Sequence, residues 1–338
     1  MRLVVQIPCY NEQDTIGAVI ADIPRVIPGI SDVLVVVVDD GSSDQTVPVA
    51  VAAGADYIAR HVRNRGLAAA FQTGLDAAVR LGADIVVNTD GDHQYHGQDI
   101  PRLVEPILRG KADFVVGDRD AAASPHFSLQ KRFLQGAGSR IVRQLSGTGV
   151  PDAPSGFRAL SRDAALRLNV VTSYSYTIET LIQAGTQKMA VVSIPIATRS
   201  TPRKSRLARG SIDYVLRSAV TVVRAYAMYQ PLRLFVMSAL LLVIPGLIGA
   251  LRFVWFYAQG NGSGHVQSLV LSGVLIIIGF QVGLIGLVAD LIAANRRLIE
   301  ESLYRLRRID ARRDPLRPLA DADQPEPIPD EKRSNTHV

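Results

Sequence analysis

Five short apolar runs punctuate the first two hundred residues: LVVQIPCY, VLVVVVDD, DIVVNTD, DFVVGDR and MAVVSIPIATR. Amphipathic, helix-like stretches lie between them. Near-continuous Val/Ile runs are what strands need when helices cover both faces of a parallel sheet. From Leu3 to about Arg199 the pattern therefore predicts a Rossmann-like α/β domain. Ligands of such sheets sit beyond the carboxyl ends of the strands. Three of the runs end in acids, at Asp39/Asp40, Asp90 and Asp118, so acids are expected along one edge.

The pattern changes after Arg199. Residues 208–230, ARGSIDYVLRSAVTVVRAYAMYQ, intersperse Arg209, Arg217 and Arg224 among apolar positions, which suits an amphipathic juxtamembrane helix, although a core-packing helix has the same pattern. The runs at 234–258 and 268–294 each exceed the roughly 20 residues that cross a bilayer, predicting two transmembrane helices. Their connector, QGNGSGHVQ, has no Lys or Arg, whereas Arg233 precedes the pair and Arg296, Arg297, Arg305, Arg307 and Arg308 follow it. The positive-inside rule then puts the α/β domain and both termini in the cytoplasm and the hairpin tip outside. Arg252 and Asp290, near the ends of the apolar segments, are expected to snorkel. The tail from about Asp310 is charged and proline-rich and is expected to be disordered. The resulting division is 1–207 for the α/β domain, 208–232 for the amphipathic helix, 233–297 for the hairpin and 298–338 for a basic segment and tail.

Composition agrees with a chain that meets lipid: 48% of its 338 residues are hydrophobic, and mean hydropathy is +0.17. Cys9 is the sole cysteine, which excludes an internal disulfide. The start, MRLVVQIPCYNE, has a strand-like run in place of the long apolar region of a secretory signal. The net charge of +6 is modest and many arginines flank apolar segments, so anionic lipid is the expected partner and nucleic acid is not. The apolar hairpin also offers a surface for homo-oligomer contact.

The richest chemistry lies in NTDGDHQYHGQDIP, residues 88–101. Mg²⁺ or Mn²⁺ takes hard oxygen ligands, commonly one or two carboxylates plus substrate phosphates. Asp90 and Asp92 can turn toward such an ion, Gly91 lets the backbone pass closely, and Gln94 can add a neutral oxygen. In VVVVDDGSSDQT, residues 35–46, a strand ends in two acids and Ser42, Ser43 or Asp44 can cap the next helix. One of Asp39 and Asp40 could accept hydrogen bonds from a base or ribose. In IPCYNEQDT, Pro8 is expected to stiffen a turn that presents Tyr10, Asn11 and Glu12 beyond the sheet edge. The histidines do not make a zinc site, and His93 and His96 are given no role.

The set PCYNE, VDDGSSD, NRG, DGDHQ and DAPSGFRALSR, in this order over residues 3–200, resembles family 2 glycosyltransferases of the GT-A fold, and within them the polyprenyl-phosphate sugar synthases. The resemblance implies a metal-dependent enzyme that moves one sugar from a nucleotide diphosphate sugar to a polyprenyl phosphate at the cytoplasmic membrane face. It places Pro8, Tyr10, Glu12 and Asp39 on the nucleotide, with Asp40 and Asp90 beside them, and makes Asp90, Asp92 and Gln94 metal ligands. Arg119 and Arg132 match basic residues near the acceptor phosphate. Arg199 and Lys204 match a flexible basic loop over the diphosphate, although Pro202 and Arg203 stand where the family often has a glycine and an acid. Asp92, Arg119 and Arg132 are the residues expected to carry catalysis. Glu179 falls where the family often has an acid and is a candidate donor-sugar contact. The Gln-x-x-Arg-Trp motif of processive synthases is missing, which argues against polymer synthesis.

A lipid phosphate, with a second pKa near about 6, is largely anionic at neutral pH and needs no general base. Positioning and neutralisation of the leaving diphosphate then suffice, and inversion is expected. Two other readings compete: transfer to a hydroxyl-bearing lipid or lipid-linked sugar, for which Glu179 is the one candidate base, and a silent GT-A scaffold, which would be free to lose the acids and arginines retained here.

Overall fold

The computed structural model describes residues 1–119, 143, 146–170, 176–199, 231–260 and 263–316. They form two compact units, one holding the sheet and the residues from 301 onward, the other holding the helices up to residue 300.

The first unit is built on a seven-stranded sheet of β1 (Arg2–Cys9), β2 (Asp32–Asp39), β3 (Tyr57–Arg60), β4 (Ile85–Asn88), β5 (Phe114–Asp118), β6 (Arg158–Ser161) and β7 (Val191–Pro195), in the order β3-β2-β1-β4-β6-β5-β7. The expected all-parallel sheet is corrected in one respect: β6 runs antiparallel to both β4 and β5. The five apolar runs became β1, β2, β4, β5 and β7. Strands β3 and β6, four residues each and carrying Arg60 and Arg158, lack such a run.

Both sheet faces are covered, and the alternation of β1 divides the core. Leu3, Val5, Ile7 and Cys9 pack with α1 (Ile16–Ala21), α2 (Thr46–Ala52) and α4 (Ile100–Leu108). Val4, Val36 and Val38 pack on the other side with α3 (Leu67–Arg80), α5 (Arg162–Arg167) and α6 (Tyr176–Thr186). Each fully buried Val, Leu or Ile stabilises the fold by about 1.5–3 kcal/mol, which explains why the strands tolerate no polar face.

Pro8 sits inside β1, paired with Val38, and not in the expected turn. The β4 side of β1 closes at Gln6, whose carbonyl accepts from the Thr89 N–H, so the missing proline N–H falls where the ladder has ended.

The second unit is a helical hairpin of α7 (Pro231–Ala258) and of α8 (Val266–Arg313) as far as Glu300, both helices long and apolar enough to cross a membrane, while α8 from Glu301 belongs to the sheet unit. A Cβ at Gly279 would lie 2.5 Å from Val243, so the small residue permits a close helix approach. α8 runs past the expected end near residue 297 and past Asp310, where the disordered tail was expected to begin. Its charged segment makes i,i+4 pairs, Arg296 with Glu300 and Arg305 with Glu301, and its last turns return to the sheet unit, where Ala311 is buried. The expected amphipathic helix at 208–230 and the tail from 317 lie outside the described residues.

Candidate active site

Because β2, β4 and β5 run parallel to β1, the acids that follow them share the carboxyl edge of the sheet. Thr89 and Asp90 follow β4 directly, and Asp90, partly exposed as a residue, buries its Oδ1. Its Oδ1 has no hydrogen-bond partner among the described residues, an arrangement that costs free energy unless something else meets it. Burial first, and then the Asp92 charge, push its carboxyl from 3.8 up to about 7. Gly156 closes over it: a Cβ there would sit 2.8 and 2.9 Å from the two Asp90 oxygens and 3.0 Å from the Tyr176 hydroxyl. Asp92, partly exposed, accepts the Gln94 N–H at 3.1 Å in a tight turn. This orphaned oxygen, the second carboxylate and the Gln94 amide fit a hard divalent cation that takes its remaining ligands from phosphate. Among the described residues no group of three or more His, Cys, Asp or Glu forms a protein-only cage.

The loop before β6 supports this acid from the far side. Gly156 N–H donates to the Tyr95 hydroxyl at 3.0 Å, and Asn88 Nδ2 donates to the Gly156 carbonyl at 2.8 Å and reaches the Tyr176 hydroxyl at 3.2 Å. Burial, then the Asp90 charge, raise the Tyr95 phenol to about 12, so it stays protonated. Arg158 is fully buried, donating to Ser155 O, Ala153 O and Thr180 Oγ1 at 2.7, 2.7 and 2.6 Å. Asp152 of the same loop holds Arg119. The motif DAPSGFRALSR marks this loop in the sequence, but the contacts of Asp152, Gly156 and Arg158 with Arg119, Tyr95 and Thr180 are not readable from it.

Each acid after β2 has an internal partner set. Asp39 accepts from the Ser42 N–H at 3.0 Å and from Arg60 Nε at 3.1 Å. Asp40 accepts from the Arg65 and Gly66 N–H groups, both at 2.8 Å, and lies 2.7 Å from His61 Nδ1. It therefore holds the NRG turn at the start of α3. Asn11, at a left-handed φ of 53°, joins the two turns by donating its N–H to Ser42 Oγ and accepting the Ser43 N–H, each at 2.9 Å. The Thr15 hydroxyl is 3.1 Å from the Glu12 carboxylate and 2.7 Å from the Gly91 carbonyl, which sets Glu12 beside the Asp90–Asp92 turn. Tyr10 is exposed at the mouth, and Pro8 turns its carbonyl toward Gly91. Burial, then Asp39 and Glu12, push the Cys9 thiol well above its usual range.

Arg199 braces the 92–97 turn. Its N–H donates to Gln94 O at 2.9 Å, Nη1 to Tyr95 O at 2.8 Å and Nη2 to Asp22 Oδ2 at 3.0 Å, and Asp22 also takes the Gly97 N–H at 2.7 Å. Burial opposes the Asp22 charge, but the Gly97 amide and Arg199 hold its carboxyl below the ordinary value. Burial, then Arg199, lower the His93 imidazole. Glu179 is buried in the first turn of α6, 3.4 Å from Gln183 Nε2. Arg132 and Lys204 lie outside the described residues. The structure thus gathers Pro8, Tyr10, Glu12, Asp39, Asp90, Asp92, Gln94 and Arg119 at one edge and gives Asp40 and Arg199 supporting positions.

A family described as Glycosyl transferase family 2 matches residues 4–168. The chain is 30% identical over 226 residues to the UDP-N-acetylglucosamine–dolichyl-phosphate N-acetylglucosaminyltransferase of Methanococcus voltae, covering 61% of this chain and 88% of that protein. It is 30% identical over 206 residues to the polyprenol monophosphomannose synthase of Mycolicibacterium smegmatis, covering 58% and 76%. The glucosyl-3-phosphoglycerate synthase from Mycobacterium tuberculosis, solved in complex with Mn²⁺, uridine-diphosphate and phosphoglyceric acid, has the same fold, with a TM-score of 0.52 at 22% identity over 67% of this chain and 77% of that one.

Proposed function

This chain belongs to glycosyl transferase family 2, and we propose that it moves a single hexose from a UDP- or GDP-linked donor to a polyprenyl phosphate, with inversion, at the cytoplasmic face of a membrane. The observation that carries the reading is the buried Asp90 Oδ1, which has no partner among the described residues and is set beside Asp92 at the carboxyl edge of the sheet. The named activities of the two relatives, both transfers onto a polyprenol-type phosphate, support the acceptor class.

Asp90, Asp92 and Gln94 would hold Mg²⁺ or Mn²⁺, which supplies charge neutralisation for the diphosphate. The chain's own residues do the rest. Tyr10, Glu12 and Asp39, at the ends of β1 and β2, bind the nucleotide where the Pro8 carbonyl and Gly91 let it approach. Arg199 and Asp22 fix the 92–97 turn so that its oxygens are aimed before substrate arrives. Arg119 gives Nε and Nη2 to Asp152, and its guanidinium would meet the acceptor phosphate; Arg132 is its expected partner there, and Lys204 would meet the donor diphosphate. The acceptor oxygen is already anionic, so no residue needs to remove a proton, and positioning with electrostatic stabilisation carries the rate. Glu179, 4% exposed, fits a structural or donor-sugar contact better than a general base.

The two apolar helices would anchor the chain in a membrane, with the arginines of 208–230 and 296–308 on the cytoplasmic side. The test is transfer of labelled sugar from a panel of UDP- and GDP-hexoses to polyprenyl phosphate by membranes containing the protein. A product that is chloroform-soluble, labile to mild acid and lost in chelator is expected, and no transfer from any donor would overturn the reading.

A further inference from the structure

The last turns of α8 make a dense polar contact with the sheet unit. Arg307 uses its whole guanidinium: Nη1 donates to Leu168 O at 2.8 Å, Nη2 to Asn169 Oδ1 at 3.2 Å, and Nε lies 3.4 Å from Asp76 Oδ1 on α3. Tyr304 donates its hydroxyl to Asp163 Oδ1 at 2.8 Å beneath the Arg167 guanidinium, 4.4 Å from the ring centroid. Asp314 pairs with Arg80, and Leu316 N–H donates to Arg80 O at 3.1 Å.

The residues that Arg307 grips are tied to the active-site helix. Asn169 N–H donates to Gln183 Oε1 at 3.0 Å while Gln183 Nε2 donates back to Asn169 O at 2.6 Å, and the same Nε2 lies 3.4 Å from Glu179 Oε1. Val170 N–H donates to Gln72 Oε1 at 2.9 Å, and Gln72 Nε2 to Asp76 Oδ1 at 3.1 Å, which closes the circuit on α3. Residues 168–170 are thus held by α3, α6 and α8 together. α6 opens with Tyr176, whose hydroxyl stands over the Gly156–Asp90 contact, and carries Thr180, which receives Arg158.

We propose that Arg307 is a positioning residue for the active site, acting through Asn169 and Gln183 on the first turn of α6, so that the segment beyond the hairpin is a working part of the catalytic unit. A planar three-nitrogen fork suits three acceptors on two elements, which a lysine ammonium does not reproduce. Only the activity part of the test rests on the family reading above.

The full-length protein is compared with Arg307→Ala, Arg307→Lys and, as a control on the exposed side of α8, Arg305→Ala. Arg307→Ala is expected to lower kcat about tenfold at a nearly unchanged donor KM, and to lower hydrogen-exchange protection in 176–186 while β1 and β2 keep theirs. Arg307→Lys should fall between, and Arg305→Ala should match the parent. Should Arg307→Ala not fold, Asn169→Ala removes only the Nη2 acceptor and should give the same split at smaller amplitude. Unchanged protection in α6 overturns the proposal, and so does a loss spread equally over β1 and β2. Exchange is read without substrate, so failure of transfer by the parent would count against the family reading alone.

Discussion

Arg119 and Asp152 form a two-pronged ion pair at the end of β5, Nε to Oδ2 at 2.7 Å and Nη2 to Oδ1 at 2.9 Å, with the carboxylate almost fully enclosed. The pair fixes the plane of the guanidinium that is proposed to meet the acceptor phosphate. Removing one partner leaves a buried charge unpaired, at a cost of about 3–5 kcal/mol. Asp152→Ala should therefore lower both the unfolding temperature and sugar transfer. Arg119→Met combined with Asp152→Leu should restore stability and leave transfer lost. Recovery of transfer in the double variant would remove Arg119 from the chemistry.

Asp90 sets a pH dependence of stability whose sign follows from its raised carboxyl. Its folded value of about 7 lies above the unfolded 3.8, so its contribution is fully present below about pH 4 and is lost as pH rises through 7. In chelator at pH 8, Asp90→Asn should be more stable than the parent by at most about 4 kcal/mol and unfold at a higher temperature, with the gap closing toward pH 4. The same variant should not transfer sugar. Thermal unfolding in EDTA across this range checks it, and added Mn²⁺ should stabilise the parent and not the variant.

Gly156→Ala tests the cradle by sterics alone. The backbone there is not left-handed, so the new methyl meets strain from its neighbours only, at 2.8 and 2.9 Å from the Asp90 oxygens. Displacing that carboxylate should weaken Mn²⁺ binding about tenfold or more, the cost seen when the groups that orient a metal ligand are lost. Titration of Mn²⁺ followed by electron paramagnetic resonance measures it, and unaltered affinity would mean that the ion sits elsewhere.

The sequence made some of this legible and hid the rest for physical reasons. Doubly buried strands are almost wholly apolar, so β1 and β2 are legible as strands, and the acids at the ends of β2, β4 and β5 fall on the ligand edge by topology. The division of labour between Asp39 and Asp40 was hidden because Arg60, His61, Arg65 and Gly66 lie 21–26 residues downstream of the acids they meet. β6 was hidden because its first residue, Arg158, is buried by hydrogen bonds and not by apolar character. The last turns of α8 looked like a solvated tail because RLRRIDARR is dense in charge, yet Arg307 and Asp314 spend theirs on the sheet unit and Ala311 fills a gap in its core.

The acceptor can be decided by two substitutions with opposite expectations. If the nucleophile is a phosphate oxygen, Arg132 contributes a charge-assisted contact that forms only with acceptor, and Arg132→Ala should cost about 2 kcal/mol, tens of times in rate, with donor binding unchanged. Arg132→Lys should also be impaired, because an ammonium cannot make the paired contact of a guanidinium. Glu179→Gln should be comparatively mild in transfer, since its carboxylate is enclosed and near Gln183, and no proton has to leave the acceptor. A hydroxyl acceptor reverses the order: a base becomes necessary, Glu179→Gln cripples the enzyme and Arg132→Ala is tolerated. Assaying both variants with polyprenyl phosphate and with free polyprenol separates the cases, and robust transfer to the free alcohol would sink the phosphate reading.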